Sequence, residues 1–405
     1  MIWRLRRLHV GSWRSPSEIR RNLVEGSADR ISQAGRRLFD RPSDLLVLHR
    51  RGHRIGDPVP SSSKGAQRRF EFLVGRAFAP RHFAIAGLQF VAQGGELVGE
   101  AIPWVVVDVV DRIVFVFLHL LDGTYELFRA HFGFPNRSAP DGREVGATLG
   151  IIETTLALLR EPGVTHVAVA TDTVIESFRN DLFPGYKSSE GMEQALLDQF
   201  PLAERAIEIL GLTCWKMREF EADDAIATAA FRFCEEVEQV VICTPDKDLA
   251  QCVLGDRIVT LNRRQQTIMD EAGVWEKFGV GPESIPDYLA LVGDAADGVP
   301  GLPGWGSKSA AAVLAKFRKL EAIPPDPADW GVAPRGASKL AATLAEHRNL
   351  AMAYRTLTTL RRDVPLHETL EELRWHGVDQ AKFLELCDEL GFDDVRTRPH
   401  RWRDA

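Results

Sequence analysis

Residues 239–248 read QVVICTPDKD, an apolar run followed at once by two acids. Gln239 to Thr244 is rich in β-branched residues, long enough for a strand and too short for a helix. Asp246 and Asp248 come directly after it. Working outward, the same construction recurs: Val116 to Leu121 runs into Asp122, and His166 to Ala170 runs into Asp172. Thr213 to Met217 and Arg257 to Leu261 read as two further short strands. Between them, helices are predicted over Glu144 to Leu159, Glu193 to Leu210 (ended by Gly211) and Ala222 to Glu236. Strands that alternate with helices predict an α/β domain with a parallel sheet and crossover helices, over residues 114–285. After Pro286 the strands stop and Gly/Pro turns join helices, so a second, all-helical domain is expected over 286–405.

Composition agrees with a folded, multidomain chain. Of 405 residues, 45% are apolar and 26% charged, with 50 Lys+Arg against 57 Asp+Glu; this excludes a disordered or fibrous protein and allows two or three domains. The charge is uneven. Residues 1–113 hold 18 Arg and one Lys against 11 acids, whereas the remainder holds 31 bases against 46 acids. That first segment shows no sustained period of 2 or 3.6 residues. Three readings stand for it: a basic arm gripping nucleic acid, a targeting segment, or sequence translated upstream of a true start at Val114 or Val116. The most apolar stretch of the chain, Ala101 to Leu121, is interrupted by Asp108, Asp111 and Arg112, each costly in a bilayer, so no membrane span is expected. No secretory signal pattern opens the chain, and the expected location is cytoplasmic. The cysteines Cys214, Cys234, Cys243, Cys252 and Cys387 form no C-x-x-C pair, which disfavours a zinc ribbon or a disulfide framework.

The acids carry the chemistry. In open α/β sheets ligands bind outside the carboxyl ends of the strands, and Asp122, Asp172, Asp246 and Asp248 all fall there. Glu221, Asp223 and Asp224 open the helix in EADDAIATAA, and Asp294 and Asp297 stand three apart in GDAADGVPG. Any one of them could serve as a helix cap or a solvated loop acid; Asp223 and Asp224 are good capping candidates. Nine carboxylates converging on one edge would repel. Hard divalent cations relieve that repulsion, and two of them can clamp a phosphodiester. A metal cluster is therefore expected.

Two look-alikes fail. LDGT at 121–124 lacks the aspartyl nucleophile of a phosphatase, because position 120 is Leu120. GLPGWGSKS at 301–309 misses Walker A spacing by one residue, Ser307, and follows no apolar strand. It reads better as a Gly/Pro hairpin whose backbone N–H groups approach a phosphate. Lys308, Lys316, Arg318 and Lys319 add charge, and residues 300–362 hold 10 bases against 4 acids. That is a local grip on a nucleic-acid backbone, or else a structural helix hairpin with a solvated face.

LDGTYELFRAHF, FRNDLFPGYK, EADDAIATAA, CTPDKDLAQCV and LVGDAADGVPGLPGWGSKSAAAVL, in that order, resemble the signatures of the 5′ nucleases. These comprise bacterial stand-alone 5′–3′ exonucleases, the 5′-nuclease domain of DNA polymerase I, and flap endonucleases. The similarity runs from about Val114 to Phe392. It implies a PIN-like catalytic domain and a helix-three-turn-helix (helix-hairpin-helix) that holds duplex DNA through Gly301, Gly304, Gly306, Ser307, Lys308 and Lys316. By position it implies that Asp122, Asp172, Glu221, Asp223, Asp224, Asp246, Asp248, Asp294 and Asp297 bind two Mg²⁺ or Mn²⁺ ions. A monovalent cation at the helical hairpin belongs to the same expectation. Arg129, Arg179 and Lys187 match basic residues near the scissile phosphate, where they would act as catalytic cations. The chain departs from the family after Lys187. There the family continues with basic residues into a helical arch that threads a single strand; here SSEGMEQALLDQF has neither Arg nor Lys. No room for a polymerase module remains after Phe392. The expected activity is metal-dependent hydrolysis of DNA from a 5′ end, at a 5′ end, nick or flap of duplex, by a monomer. Exonucleolytic trimming and flap cleavage both stay open. The alternatives are a catalytically weak structure-specific DNA-binding protein and an RNA-directed nuclease on the same fold.

Overall fold

The computed structural model describes residues 116–403, together with strand residues 48–49, 68–78, 82–93 and 96–99. The chain divides into two units, 1–114 and 115–405. In the first, β1 (Leu48–His49), β2 (Arg68–Phe78), β3 (His82–Gln93) and β4 (Glu96–Gly99) form an antiparallel sheet in the order β1-β2-β3-β4. Strand β2 reads RRFEFLVGRAF, where Phe72, Leu73 and Val74 are consecutive, so the strand carries no sustained period-2 pattern. The rest of residues 1–113, and the readings made for it, lie outside the described residues.

The second unit is built on a sheet in the order β10-β9-β8-β5-β6-β7, among the described residues. Its strands are β5 (Phe117–Asp122), β6 (Val164–Asp172), β7 (Thr213–Met217), β8 (Gln239–Cys243), β9 (Ile258–Asn262) and β10 (Thr267–Met269). All pair in parallel except β10, which pairs antiparallel with β9. The central strands β5, β6 and β8 are mostly apolar because helices cover both faces. Leu121, Val167, Val169 and Val241 enter one core, and Leu118, Leu120, Ala168, Ala170, Val240 and Ile242 enter the other. The chain runs outward from β5 through β6 to β7, then returns to lay β8 on the other side of β5. That reversal is the topological switch point, where a crevice opens at the strand ends.

The crossovers are α1 (Gly123–Gly133), α2 (Gly146–Leu159), α3 (Phe178–Leu182), α4 (Gln194–Leu197), α5 (Gln199–Ile209) and α6 (Ala222–Phe233). The single helix expected over 193–210 is split at Asp198, because the ring of Pro201 opposes the carbonyl four residues back. Helix α6 buries Ala225, Ala229 and Ala230 against Ala168 and Ala170; small residues on both sides let it lie close over the strand ends.

Beyond β10 come α7 (Glu271–Phe278), α8 (Ile285–Val292), α9 (Ser307–Phe317), α10 (Ala337–Glu346) and α11 (Arg348–Thr358). They share a separate core around Leu289, Val313, Leu314, Trp330, Leu344 and Leu357. The expected helical domain over 286–405 is not continuous. From Leu360 the chain returns to the α/β body: Leu360, Val364 and Leu373 fill the α6 face, and α12 (Gln380–Leu390) buries Phe383, Leu386 and Leu390 beside α5. Trp375 fixes that return, its N–H donating to Thr165 O and its Nε1 to Leu210 O, both at 2.8 Å. Among the described residues no helix is long and apolar enough to cross a membrane.

Candidate functional site

Asp122 ends β5 and caps α1. One carboxylate oxygen accepts the Tyr125 N–H at 2.8 Å and the other accepts Thr244 Oγ1, from the end of β8, at 2.9 Å. Thr244 Oγ1 also accepts the Asp246 N–H, and Asp246 Oδ1 accepts the Asp248 N–H. At the end of β6, the Asp172 N–H donates to Thr124 and its carboxylate accepts the Ala222 N–H at 2.6 Å. That last bond docks the start of α6 on the sheet edge. Glu221, the N-cap of α6, accepts from Ser177 Oγ at 2.6 Å and from Lys187 Nζ at 2.8 Å.

The sharp turn after α8 supplies the last acids. Asp294 and Val299 exchange backbone hydrogen bonds, at 2.7 and 2.8 Å. Gly298 lies so close to the Gly185 carbonyl, at a φ of +73°, that no side chain fits. With the Lys187 N–H bonded to Asp297 O at 3.0 Å, this contact fixes Lys187 over the acids. Asp248, Asp294 and Asp297 bring carboxylate oxygens within 4.8 Å of one another.

Burial without enough counter-charge perturbs these groups. Burial pushes Asp122 up to about 7, reinforced by Asp246 and Asp172 and opposed by the Tyr125 N–H. Asp297 rises to about 6 by burial, with Lys187 opposing. Burial and neighbouring acids raise Asp223 and Asp248 well above the usual range. Two lysines answer part of the charge: Lys187 lies 3.6 Å from Asp297, and Lys247 lies 2.8 Å from Asp294. Asp248 Oδ1 is nevertheless buried with no hydrogen-bond partner among the described residues, a costly state for a carboxylate.

Eight of the nine expected ligands thus share one electrostatic neighbourhood, and Asp224 stands apart from it. Arg179 Nη1 and Nη2 clamp its two oxygens at 2.8 and 2.7 Å, and the N–H groups of Glu221 and Arg361 complete four donors. A carboxylate offers about four acceptor sites, so its own chain saturates Asp224. Arg179, expected near the scissile phosphate, is likewise fully buried and lies between Asp224 and Glu221. Sequence reasoning missed Thr124, Ser177, Tyr186, Thr244 and Lys247. Of these Lys247 was legible, standing between the two acids of PDKD.

Residues 117–279 match the family of the 5′–3′ exonuclease N-terminal resolvase-like domain, and residues 280–381 match its C-terminal SAM fold. The 5′–3′ exonuclease of Aquifex aeolicus is 30% identical over 274 residues, 67% of this chain and 91% of that one. The chain belongs to the 5′–3′ exonuclease family. DNA polymerase I of Bacillus caldotenax is 32% identical over 283 residues, 68% of this chain but 31% of its own length. The chain therefore spans about a third of the DNA polymerase I relatives it matches. Among solved structures, T5 5′-exonuclease with bound zinc has a TM-score of 0.49 at 17% identity, covering 60% of this chain and 89% of that chain.

The family's second domain covers residues 280–381, from α8 through α11, and includes the Gly/Pro turn before α9. Gly304, Gly306, Ser307 and Lys308 are exposed at the start of α9, whereas Gly301 is buried inside the turn. Lys316 Nζ donates to Trp330 O at 2.6 Å and is tied to its own fold. Arg129 lies on α1 and pairs with Glu126, which Arg263 also holds; the cation faces this buried acid. The segment after Lys187 forms a short rim. Glu176 fastens it by accepting both the N–H and Oγ of Ser189, and His131 approaches Glu193.

Proposed function

We propose that this chain hydrolyses DNA phosphodiester bonds from 5′ ends, with two Mg²⁺ or Mn²⁺ ions held by Asp122, Asp172, Glu221, Asp223, Asp246, Asp248, Asp294 and Asp297. The observation that carries the reading is the partnerless buried oxygen of Asp248 inside an all-carboxylate set. Hard cations fit such donors, whereas soft-ligand metals would call for Cys or His. When bound, the ions would supply charge stabilisation at the phosphoryl group and an activated water. The chain's own residues do the rest. Thr244, Thr124 and Ser177 orient three carboxylates. Burial disfavours the Lys187 ammonium, but Asp172, Glu221 and Asp297 outweigh it and hold Lys187 firmly charged, ready to meet a phosphate oxygen entering the cluster. The exposed first turn of α9, with Lys308, offers N–H groups and a cation to a duplex backbone.

The rim after Lys187 bears Glu190 and Glu193, which repel a displaced single strand; this supports trimming at ends and nicks over cleavage of long flaps. The five cysteines are free, which suits a reducing cytoplasm. The test is a nicked duplex, a blunt duplex and a 5′-flap, each labelled at both ends, with and without Mg²⁺. Short 5′ products that vanish with EDTA are expected, fewest from the flap. Duplex binding without cleavage under Mg²⁺ and Mn²⁺ would transfer the case to a DNA-binding role.

A further inference from the structure

We infer that Arg179 is a positioning residue that sets the spacing between two lobes of the carboxylate cluster, one on α6 and one after α8. The inference rests on the metal-binding reading above. A guanidinium has five N–H donors, and here four hydrogen bonds hold it within the protein. Nε donates to Leu357 O at 2.7 Å, Nη1 to Asp224 Oδ2 at 2.8 Å, and Nη2 to Asp224 Oδ1 at 2.7 Å and to Thr359 O at 3.2 Å. Nη1 also lies 3.2 Å from Glu221 Oε1 as an ion pair. The group is fully buried and faces its own chain.

The acceptors belong to two bodies. Asp224 and Glu221 form the N-terminus of α6, where Asp224 Oδ2 also accepts the N-cap N–H. Leu357 and Thr359 end α11, whose last carbonyls lack helical partners and carry partial negative charge. From there Thr358 Oγ1 donates to Pro286 O at 3.0 Å in the first turn of α8, and α8 leads through Gly293 into Asp294 and Asp297. One continuous path thus joins Glu221 and Asp223 to Asp294 and Asp297. Arg179, Asp224 and Thr358 are all buried, so water does not compete along it. Mg²⁺ demands near-ideal octahedral geometry, and a shift in lobe spacing therefore appears as lost metal affinity. Lysine in this place would keep the charge and lose the planar fork.

The experiment titrates Mn²⁺ into the full chain without DNA, counting free ion by electron paramagnetic resonance, for wild type and Arg179→Lys. Duplex affinity in metal-free buffer and cleavage at rising Mn²⁺ are measured alongside. The expected result is at least one ion bound about tenfold more weakly, the scale of outer-shell changes. Duplex affinity should be unchanged, and cleavage should recover toward wild type at high Mn²⁺. Wild-type Mn²⁺ binding by Arg179→Lys overturns the inference, whether cleavage is normal or lost at saturating metal; the second pattern assigns Arg179 to the substrate. If Arg179→Lys melts below the assay temperature, Thr358→Val decides. It should weaken Mn²⁺ by about threefold, what one ordinary hydrogen bond is worth, and wild-type affinity there overturns the inference. A wild-type chain that binds no Mn²⁺ removes the metal reading itself, an outcome distinct from failure of the variant alone.

Discussion

Asp224 and Asp248 are both buried carboxylates drawn from ordered acidic motifs, and the fold treats them in opposite ways. Around Asp224 a forked guanidinium and two backbone N–H groups fill every acceptor site. Around Asp248 further acids crowd in, a lysine reaches only a neighbour, and one oxygen is left bare. The first arrangement is complete as protein. The second is complete only with added positive charge. Counting donors at each oxygen, more than the presence of an acid in a motif, separates a strut from a ligand.

The contrast can be broken by substitution. Asp248→Asn should lower cleavage by at least about 100-fold, since even outer-shell changes at metal sites cost about 10–100-fold. In EDTA the same variant should melt higher, because a buried anion among anions is gone; a gain of about 1 kcal/mol is roughly 1–2 °C at this size. Turnover like wild type would remove Asp248 from the centre. Asp224→Ala should do the reverse, costing roughly 3–5 kcal/mol by stripping the buried Arg179 of its bidentate partner and leaving it Glu221 alone, as denaturant unfolding would report. A loss below 1 kcal/mol would show that the pair is not the strut described.

pH sharpens the same comparison. Asp122 is raised from 3.8 to about 7 and Asp297 to about 6, so between about pH 4 and 7 the native state holds more protons than the unfolded one. The contribution of these two groups to the stability of the metal-free protein is then greatest at the acidic end and falls as pH rises through 7, by at most about 1.4 kcal/mol per pH unit for each proton released. Saturating Mg²⁺ should flatten or reverse that slope, read as melting temperature against pH; an unchanged slope would argue that the acids are not the ligands. The smallest effect belongs to the hairpin. Lys308→Ala should reduce the slope of log affinity against log salt by about 0.9, one released counterion, with a modest loss of duplex affinity.

The sheet was legible because its strands are buried on both faces and end in acids. The run at 239–244 and its two companions show both features directly. The break before Pro201 was equally available from Pro chemistry. The return of residues 360–403 to the α/β body was not, since it rests on pairings such as Trp375 with Leu210 that lie far apart in the chain. The site was legible as a set of acids. Sequence placed Arg179 beside Lys187 in function because both stand in FRNDLFPGYK. The fold gives them different partners around a shared Glu221: α3 turns Arg179 inward to Asp224, and the Gly185–Gly298 contact holds Lys187 beside Asp297. No local pattern encodes which way each cation faces.

The most direct measurement is an anomalous difference map from a crystal of the full chain soaked in Mn²⁺. Peaks should lie within coordination distance of Asp248, Asp294 and Asp297, and of the Asp122–Asp223–Asp246 group, with none against Asp224, which should stay clamped by Arg179. A peak on Asp224, or none at Asp248 in a crystal that holds Mn²⁺ elsewhere, would contradict the division between strut and ligand.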